Sequence, residues 1–401
     1  MKITKLETIW LKTQPKLVFL RVHTDEGLIG TGETYDTPAA VEAYVHSDMA
    51  AYLLGKDPLQ IDRHWNHLFR LPRLALGKTL EIRALSALDL ALWDLLGKVS
   101  RQPVYQLLGG ATRDRIRVYN TCAGYAYVGD SGEGYHATAG GSARADRPYE
   151  DMYAFLHHAD RLAESLLSEG YRQMKIWPFD QIAEASGGRY ISLEELRMGF
   201  EPLRKIRAAV GEQMEIALEL HNLWNLPSAI RIAKAAADYG VVWCEDPIPM
   251  DDLDALADLR RQANVPICAS ETLGTRWGFR GLFEKHAVDI AMLDMTWCGG
   301  LGEAKRIATM AEVFSLPVAP HDCVGPVTFM ADVHLCMNLP NALVQEVVRA
   351  FVHGWYRDLV TELPVVKDGY VHLPQGHGLG TEIRPQVFDR SDVVVKVTER
   401  G

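Results

Sequence analysis

Six ionisable residues each close a short apolar run: Glu219 ends EIALE, Glu245 ends VVWCE, Glu271 ends PICASE, Asp294 ends IAMLD, His321 ends PVAPH and Glu346 ends ALVQE. Successive members are 26, 26, 23, 27 and 25 residues apart. A charge at the end of a buried strand is costly unless it is paired or bound. Adjacent parallel strands lie under about 5 Å apart, so glutamates on three successive strands can converge on one point. Carboxylates that close repel strongly where water is scarce, and a hard divalent cation removes that cost. An all-oxygen set (Glu219, Glu245, Glu271), with no cysteine and no obligatory histidine, favours Mg²⁺, which keeps positions open for substrate oxygens.

The next three positions differ in type. Asp294 and His321 fall on neighbouring strands. A carboxylate bonded to an imidazole fixes its tautomer and raises its basicity, which suits general-base work. Glu346, if protonated or strongly hydrogen-bonded, could stabilise charge on a substrate oxygen. Asp246 follows Glu245 directly and faces the other way in an extended chain, so it is expected behind the metal ligands. Pro247 helps to end that strand, since it cannot donate to a ladder.

Positioning these residues takes a regular array. Between the apolar runs lie stretches with apolar residues at three- and four-residue spacing: PSAIRIAKAAADYG, DDLDALADLRRQAN, WGFRGLFEKH, GGLGEAKRIATMAEVF and PVTFMADVHLCMN. A strand and a helix repeating every 25 residues or so is the rhythm of a parallel β/α array. RIRVYN, ending at Asn120, and RQMKIW, ending at Trp177, extend it backwards to eight units. Eight units imply an α/β chain closed as a TIM-type (β/α) barrel with its site at the C-terminal strand ends. The last unit is expected to be irregular, with little helix after Glu346. Residues 1–115 stand outside the repeat. They read as an α+β domain of alternating strands (KITKLETIWL, KLVFLRVHT, GLIGTGET) followed by helices (PAAVEAYVHSDMAAYLL, TLEIRALSALDLALWDLLGK). The expected organisation is this domain over 1–115, the barrel over 116–360, and 361–401 packing back on the first domain. The Gly- and aromatic-rich segment from Tyr125 to Asp151 follows the first barrel strand on the active-site side and is expected to act as a lid.

Composition sets the surroundings. The chain has 401 residues, 48% hydrophobic and 23% charged, with a net charge of −10. That balance argues against nucleic acid or an anionic membrane surface as a partner, but not against an anionic substrate, because a bound cation can reverse the local field. No apolar run approaches the roughly 20 residues needed to span a bilayer, and the N-terminus alternates like a strand without a signal-peptide core. A cytoplasmic location is expected. The six cysteines show no CxxC pairing and no disulfide-rich spacing, and buried free thiols are the expectation.

These residues resemble the enolase superfamily, mandelate racemase subgroup, over nearly the whole chain. GLIGTGET (27–34), ALSALDLALWDLLGK (84–98) and PVYQLLGG (103–110) resemble the family's capping domain. Glu219, Glu245 and Glu271 match its metal positions, Asp294 and His321 its Asp–His dyad, and Glu346 its last-strand glutamate. The resemblance implies proton abstraction α to a carboxylate that Mg²⁺ binds, through an enediolate. It also implies a small-molecule carboxylate substrate and a homo-oligomer.

Two departures bear on the reaction. Where the family often carries Lys-x-Lys at the end of the second barrel strand, this chain has Lys175-Ile-Trp177. An indole cannot take a proton, which disfavours a two-base racemase. Lys175 is left to orient the substrate carboxylate or to balance charge at the metal. His221 lies two residues after Glu219 and, by strand alternation, should share its face. This resembles the subgroup's acid-sugar dehydratases, where such a histidine serves as general acid. The expectation is dehydration of an aldonate or aldarate to a 2-keto-3-deoxy acid, with epimerisation, racemisation or cycloisomerisation of a related acid as the rival. His321 and His221 could divide the base and acid roles, His321 could do both, or a lid tyrosine (Tyr125, Tyr127 or Tyr135) could be the acid. The short KTQPK connection leaves room for a long hydroxylated substrate, with Tyr35, His23, Arg276 and Trp297 as candidate contacts.

Overall fold

A computed structural model describes residues 1–70, 80–125, 127 and 149–399 of the protein. The chain begins with an antiparallel meander of β1 (Ile3–Leu11), β2 (Gln14–Thr24) and β3 (Ile29–Tyr35), in which Lys12 and Thr13 alone turn β1 into β2. Both faces of this sheet carry buried apolar residues. Val18, Leu20 and Val22 enter the core of the capping domain, while the alternate residues Leu17 and Phe19 join the core of the barrel. The glycines of GLIGTGET set how closely β3 approaches the long helix Leu80–Ser100. A Cβ on Gly30 or Gly32 would lie 2.1 or 1.9 Å from the carbonyl oxygens of Ala91 and Ala87, so only glycine permits this packing.

Seven parallel strands follow: β4 (Arg115–Thr121), β5 (Gln173–Ile176), β6 (Glu215–Glu219), β7 (Val241–Glu245), β8 (Ile267–Ala269), β9 (Ile290–Ala291) and β10 (Gln345–Val347). Each pairs with the next from β4 to β9, and β10 pairs back on β4. The eighth position, between β9 and β10, is filled by residues 318–321. It is held by Ala319 N–H to Ala291 O (3.0 Å), His321 N–H to Leu293 O (2.9 Å) and Leu343 N–H to Val318 O (2.8 Å). PVAPH is therefore a bridge-paired segment in place of the expected strand. Pro317 and Pro320 remove two of its ladder donors. The fold is a (β/α) barrel with an α+β capping domain. Its last unit carries only the short helices Arg349–His353 and Tyr356–Leu359.

The segment beyond residue 360 is divided between the two sheets. The hairpin of β11 (Val366–Lys367) and β12 (Tyr370–His372) adds antiparallel to β4, and β13 (Val393–Glu399) adds antiparallel to β1. All six cysteines are buried and free. Among the described residues, no helix is long and apolar enough to cross a membrane.

Buried carboxylates clasp the capping domain onto the barrel. Glu33 of β3 accepts from Val327 N–H (3.1 Å), Thr328 N–H (3.1 Å) and Thr328 Oγ1 (2.6 Å), at the start of the barrel helix Pro326–Asn338. Asp89 accepts from Gly302 N–H (2.8 Å) at the start of the helix Leu301–Val313. Orphan N–H groups and the helix dipole favour a carboxylate at both places. Gly300 must be glycine: its φ is +90°, and a Cβ would fall 2.4 Å from Asp89 Cβ. Asp94 accepts from Thr31 N–H and Leu379 N–H, both at 2.9 Å, and pairs with Lys98 at 2.7 Å.

Burial pushes the Asp89 carboxyl up from 3.8 to about 7. The folded protein therefore holds this proton more tightly than the unfolded chain. The stability it contributes is fully present below pH 4 and is lost as pH rises through about 7. Asp89→Asn stays neutral throughout. Between pH 5 and pH 8 its unfolding free energy, read by urea denaturation, should improve relative to the parent by about 2.5–3 kcal/mol. A difference between the two proteins that does not move with pH would contradict this.

Candidate active site

Glu219 and Glu245 stand directly opposite each other at the ends of β6 and β7, a consequence of parallel register. Glu271 follows two residues after β8. The three offer oxygens that all lie within 4.8 Å of one another. Burial, followed by the charge of Glu219, pushes the Glu245 carboxyl well above its ordinary value, with Lys175 opposing. Glu245 Oε2 accepts from Trp243 Nε1 at 2.9 Å. Glu219 Oε1 accepts from the N–H groups of Leu220 (3.0 Å) and His221 (2.7 Å), while its buried Oε2 has no hydrogen-bond donor among the described residues. Three hard oxygen donors, one of them an orphaned buried atom, fit a divalent cation such as Mg²⁺.

Lys175, near the end of β5, supplies the nearest positive charge. Its Nζ contacts Glu245 Oε1, lies 3.0 Å from Glu346 Oε1 and lies 3.6 Å from Glu219 Oε2. Burial alone would lower its pKa, but Glu245 and Glu346 outweigh that and hold the ammonium charged. Glu346, on β10, also accepts from Thr121 Oγ1 and from Asp322 N–H (2.7 Å). Burial would raise its carboxyl, yet Lys175 and His321 bring it down to about 2. These contacts favour the ionised form of Glu346. Lys175 thus lies against carboxylates from three strands, β6, β7 and β10.

His321 Nδ1 donates to Asp294 Oδ2 at 2.7 Å, and its Nε2 lies 3.0 Å from Glu271 Oε2. Asp294 Oδ1 accepts from both Thr296 N–H and Thr296 Oγ1 at 2.6 Å, which fixes the dyad from behind. Burial would depress His321, but Glu271, Glu346 and Asp294 together raise it well above its usual value. The dyad thus abuts the carboxylate triad. Trp297 stacks on His321 at 5.6 Å, and its buried indole N–H has no acceptor among the described residues. Arg83, from the capping helix, lies 4.7 Å from the Trp297 ring and donates to Tyr35 O at 2.8 Å.

His221 reaches the site, though not by strand alternation. β6 ends at Glu219, and His221 and Asn222 take left-handed φ values of 49° and 59°. Histidine and asparagine tolerate that region better than most residues. The ring Nδ1 lies 2.8 Å from Asp180 Oδ2, and the ring meets Trp177 edge-on at 5.6 Å. Burial would lower this histidine, but Asp180 and Glu219 bring it up to about 9. Asp246 lies behind the ligands. Its Oδ2 accepts from Ser270 Oγ (2.9 Å) and Asn222 Nδ2 (3.1 Å), which ties three strand ends together.

The remaining candidates divide. His23 pairs with Glu7 at 3.0 Å, at the opposite end of β2 from the residues that meet the barrel. Arg276 is bound to Glu303 and lies against Trp65 and Trp277. Tyr35 is largely buried beside the site, where burial raises its hydroxyl pKa. Tyr127 packs on Trp177 at 5.6 Å, and Tyr125 lies against Gly354. Tyr135, like most of the expected lid, lies outside the described residues. Sequence reasoning missed Asp180, Thr121, Trp243 and Arg83. Asp180 carried one signal, its place in the turn that follows Lys175-Ile-Trp177.

With the geometry in view, the chain was compared with known proteins. Residues 7–109 match the mandelate racemase / muconate lactonizing enzyme N-terminal domain, and residues 158–387 match the enolase C-terminal domain-like family. A D-xylonate dehydratase of Haloferax volcanii is 31% identical over 394 residues, covering 94% of this chain and 86% of its own. A D-galactonate dehydratase of Ralstonia nicotianae is 31% identical over 399 residues, covering 98% and 94%. The crystal structure of an enolase of the mandelate racemase subgroup from Agrobacterium tumefaciens superposes with a TM-score of 0.87 at 46% identity, covering 100% of this chain and 99% of that one.

Lys175→Met removes the ammonium that faces three buried carboxylates and keeps its bulk. In chelator the variant should lose about 3–5 kcal/mol of stability, and millimolar Mg²⁺ should restore more of that loss than it adds to the parent. Thermal melts with and without the cation measure both quantities. Equal melting of parent and variant in chelator would refute the charge-balancing role.

Proposed function

The chain belongs to the enolase superfamily, in its mandelate racemase subgroup, and on that premise we propose that it is a Mg²⁺-dependent sugar-acid dehydratase. Its substrate would be an aldonate or aldarate and its product a 2-keto-3-deoxy acid. The observation that carries the reading is the contact of one imidazole with both systems: His321 bonds Asp294 through Nδ1 and faces Glu271 through Nε2. A base so placed meets the α-proton of a substrate whose carboxylate sits at the triad.

Glu219, Glu245 and Glu271 would hold the cation, whose positive charge acidifies the carbon next to the substrate carboxylate. Holding the cation would draw Glu271 away from His321 and favour the neutral ring, whose Nε2 takes the α-proton while Asp294 stabilises the resulting imidazolium. The electron pair moves into the substrate carboxylate as an enediolate. It then returns to form the Cα–Cβ double bond as the Cβ–O bond breaks. His221 gives its proton to the departing hydroxyl, and water leaves. The enol takes up a proton at C3 as it becomes the keto acid. Trp177, where a second base would stand, cannot take a proton, so proton abstraction is confined to the His321 side. The Trp297 N–H is a spare donor for a substrate oxygen.

Screening a panel of aldonic and aldaric acids with Mg²⁺ should give a keto acid that forms a semicarbazone. Turnover seen only as a change in optical rotation would replace dehydration with epimerisation. His321→Asn should lower turnover by about 10²- to 10⁴-fold and abolish exchange of the substrate α-proton in deuterated water. Retained exchange would remove His321 as the base. Glu245→Gln should abolish the Mg²⁺-dependent activity, and full activity in that variant would defeat the metal assignment.

A further inference from the structure

The turn after β5 has no base to offer, yet it is built around a histidine. Trp177 is 4% exposed and wedged between Phe155 (5.1 Å) and Tyr127 (5.6 Å), with its ring against the edge of His221. Three residues on, Asp180 opens the helix Asp180–Ser186 and is 5% exposed. Its Oδ2 lies 2.8 Å from His221 Nδ1. A carboxylate oxygen can only accept from an imidazole N–H, so Nδ1 carries the hydrogen and any exchange of His221 with substrate passes through Nε2. The backbone of His221 is fixed independently, by its own N–H to Glu219 Oε1 at 2.7 Å. Ring and backbone are thus anchored at two separate points. The arrangement repeats the one on the other side of the site, where Asp294 holds His321 Nδ1 at 2.7 Å. In strand order, these two Asp–His pairs flank the metal carboxylates.

We propose that Asp180 is a positioning residue for the elimination half of the reaction: it fixes the orientation and tautomer of His221, so that Nε2 delivers the proton to the departing β-hydroxyl. This rests on the dehydratase reading above. Abstraction of the α-proton by His321 does not pass through Asp180, so the two halves of the reaction should separate when Asp180 is altered.

Asp180→Asn in the full-length, Mg²⁺-loaded enzyme should lower kcat for keto-acid formation by about 10- to 100-fold with little change in KM. Substrate recovered from deuterated water should carry more α-deuterium than with the parent, because the enediolate waits longer for its acid. A structural defect would lower exchange and elimination together, and that result overturns the proposal. In a His221→Gln background, Asp180→Asn should have no further effect; additive losses would show that Asp180 does not act through His221. Rescue by Asp180→Glu supports the role. If the parent dehydrates no acid in the panel, the dehydratase reading fails by itself. The Asp180–His221 pairing is then judged by nitrogen-15 spectra of histidine-labelled protein. Recorded at a pH high enough for the ring to be neutral, these should show Nδ1–H of His221 in the parent and a different tautomer mixture in Asp180→Asn. An unchanged tautomer overturns the proposal.

Discussion

The structure depends on one electrostatic constraint: Glu219, Glu245, Glu271, Glu346 and Asp294 are gathered at the strand ends, where the ammonium of Lys175 and the imidazole of His321 lie in contact with them. In a site that excludes water, such an excess of carboxylates is unfavourable until positive charge is supplied. Lys175 answers part of it and is the reason Glu346 stays ionised. The rest falls on the triad, where a hard dication fits the donors. Parallel register brings Glu219 opposite Glu245; the barrel is the device that forces together groups which would otherwise separate.

The same residue type behaves differently away from that centre, for a physical reason. Glu33, Asp89 and Asp246 are as buried as Glu346, yet burial pushes them up to about 7, 7 and 8 respectively. None has an ammonium in contact among the described residues. Their work is done by accepting N–H and O–H groups. Glu33 seats on Val327 and Thr328, six and seven residues after His321. Its neighbour Thr34 donates to Thr296 O at 3.1 Å, two residues after Asp294. One strand of the capping domain therefore holds both loops that carry the Asp294–His321 pair.

The barrel was legible because its strands end on charges at near-equal intervals, a pattern that parallel pairing imposes and few other folds would keep. The same spacing picked out Glu219, Glu245 and Glu271, whose oxygens the structure brings within 4.8 Å of one another, and Asp294 and His321, which it joins by a hydrogen bond. What escaped the sequence depends on turns. Period-two alternation put His221 beside Glu219, but left-handed backbone at His221 and Asn222 is what orients it. Pro317 and Pro320 reduced a strand to bridges, which an apolar pattern cannot reveal. The C-terminal segment read as a unit, yet it adds strands to both sheets, because pairing partners distant in sequence leave no local mark. Asp180 was invisible until its histidine was placed.

That last pair bears on how one scaffold limits its own chemistry. A racemase needs an equivalent base on each side of the α-carbon, whereas a dehydratase needs one base and one acid near a departing oxygen. In this chain Trp177 stands at the end of β5, and the volume of an indole excludes a mobile ammonium from the same space. The segment that could have carried a second base instead braces His221, through the edge of Trp177 and the carboxylate of Asp180. Two residues of one turn after β5 thus pack on and bond the histidine that follows β6. The two histidines then differ in what surrounds them. His321 lies against Glu271, and His221 is bonded to Asp180 on the side of β5. That asymmetry is what an ordered reaction requires, in which a proton is taken at one histidine before another is given up at the second.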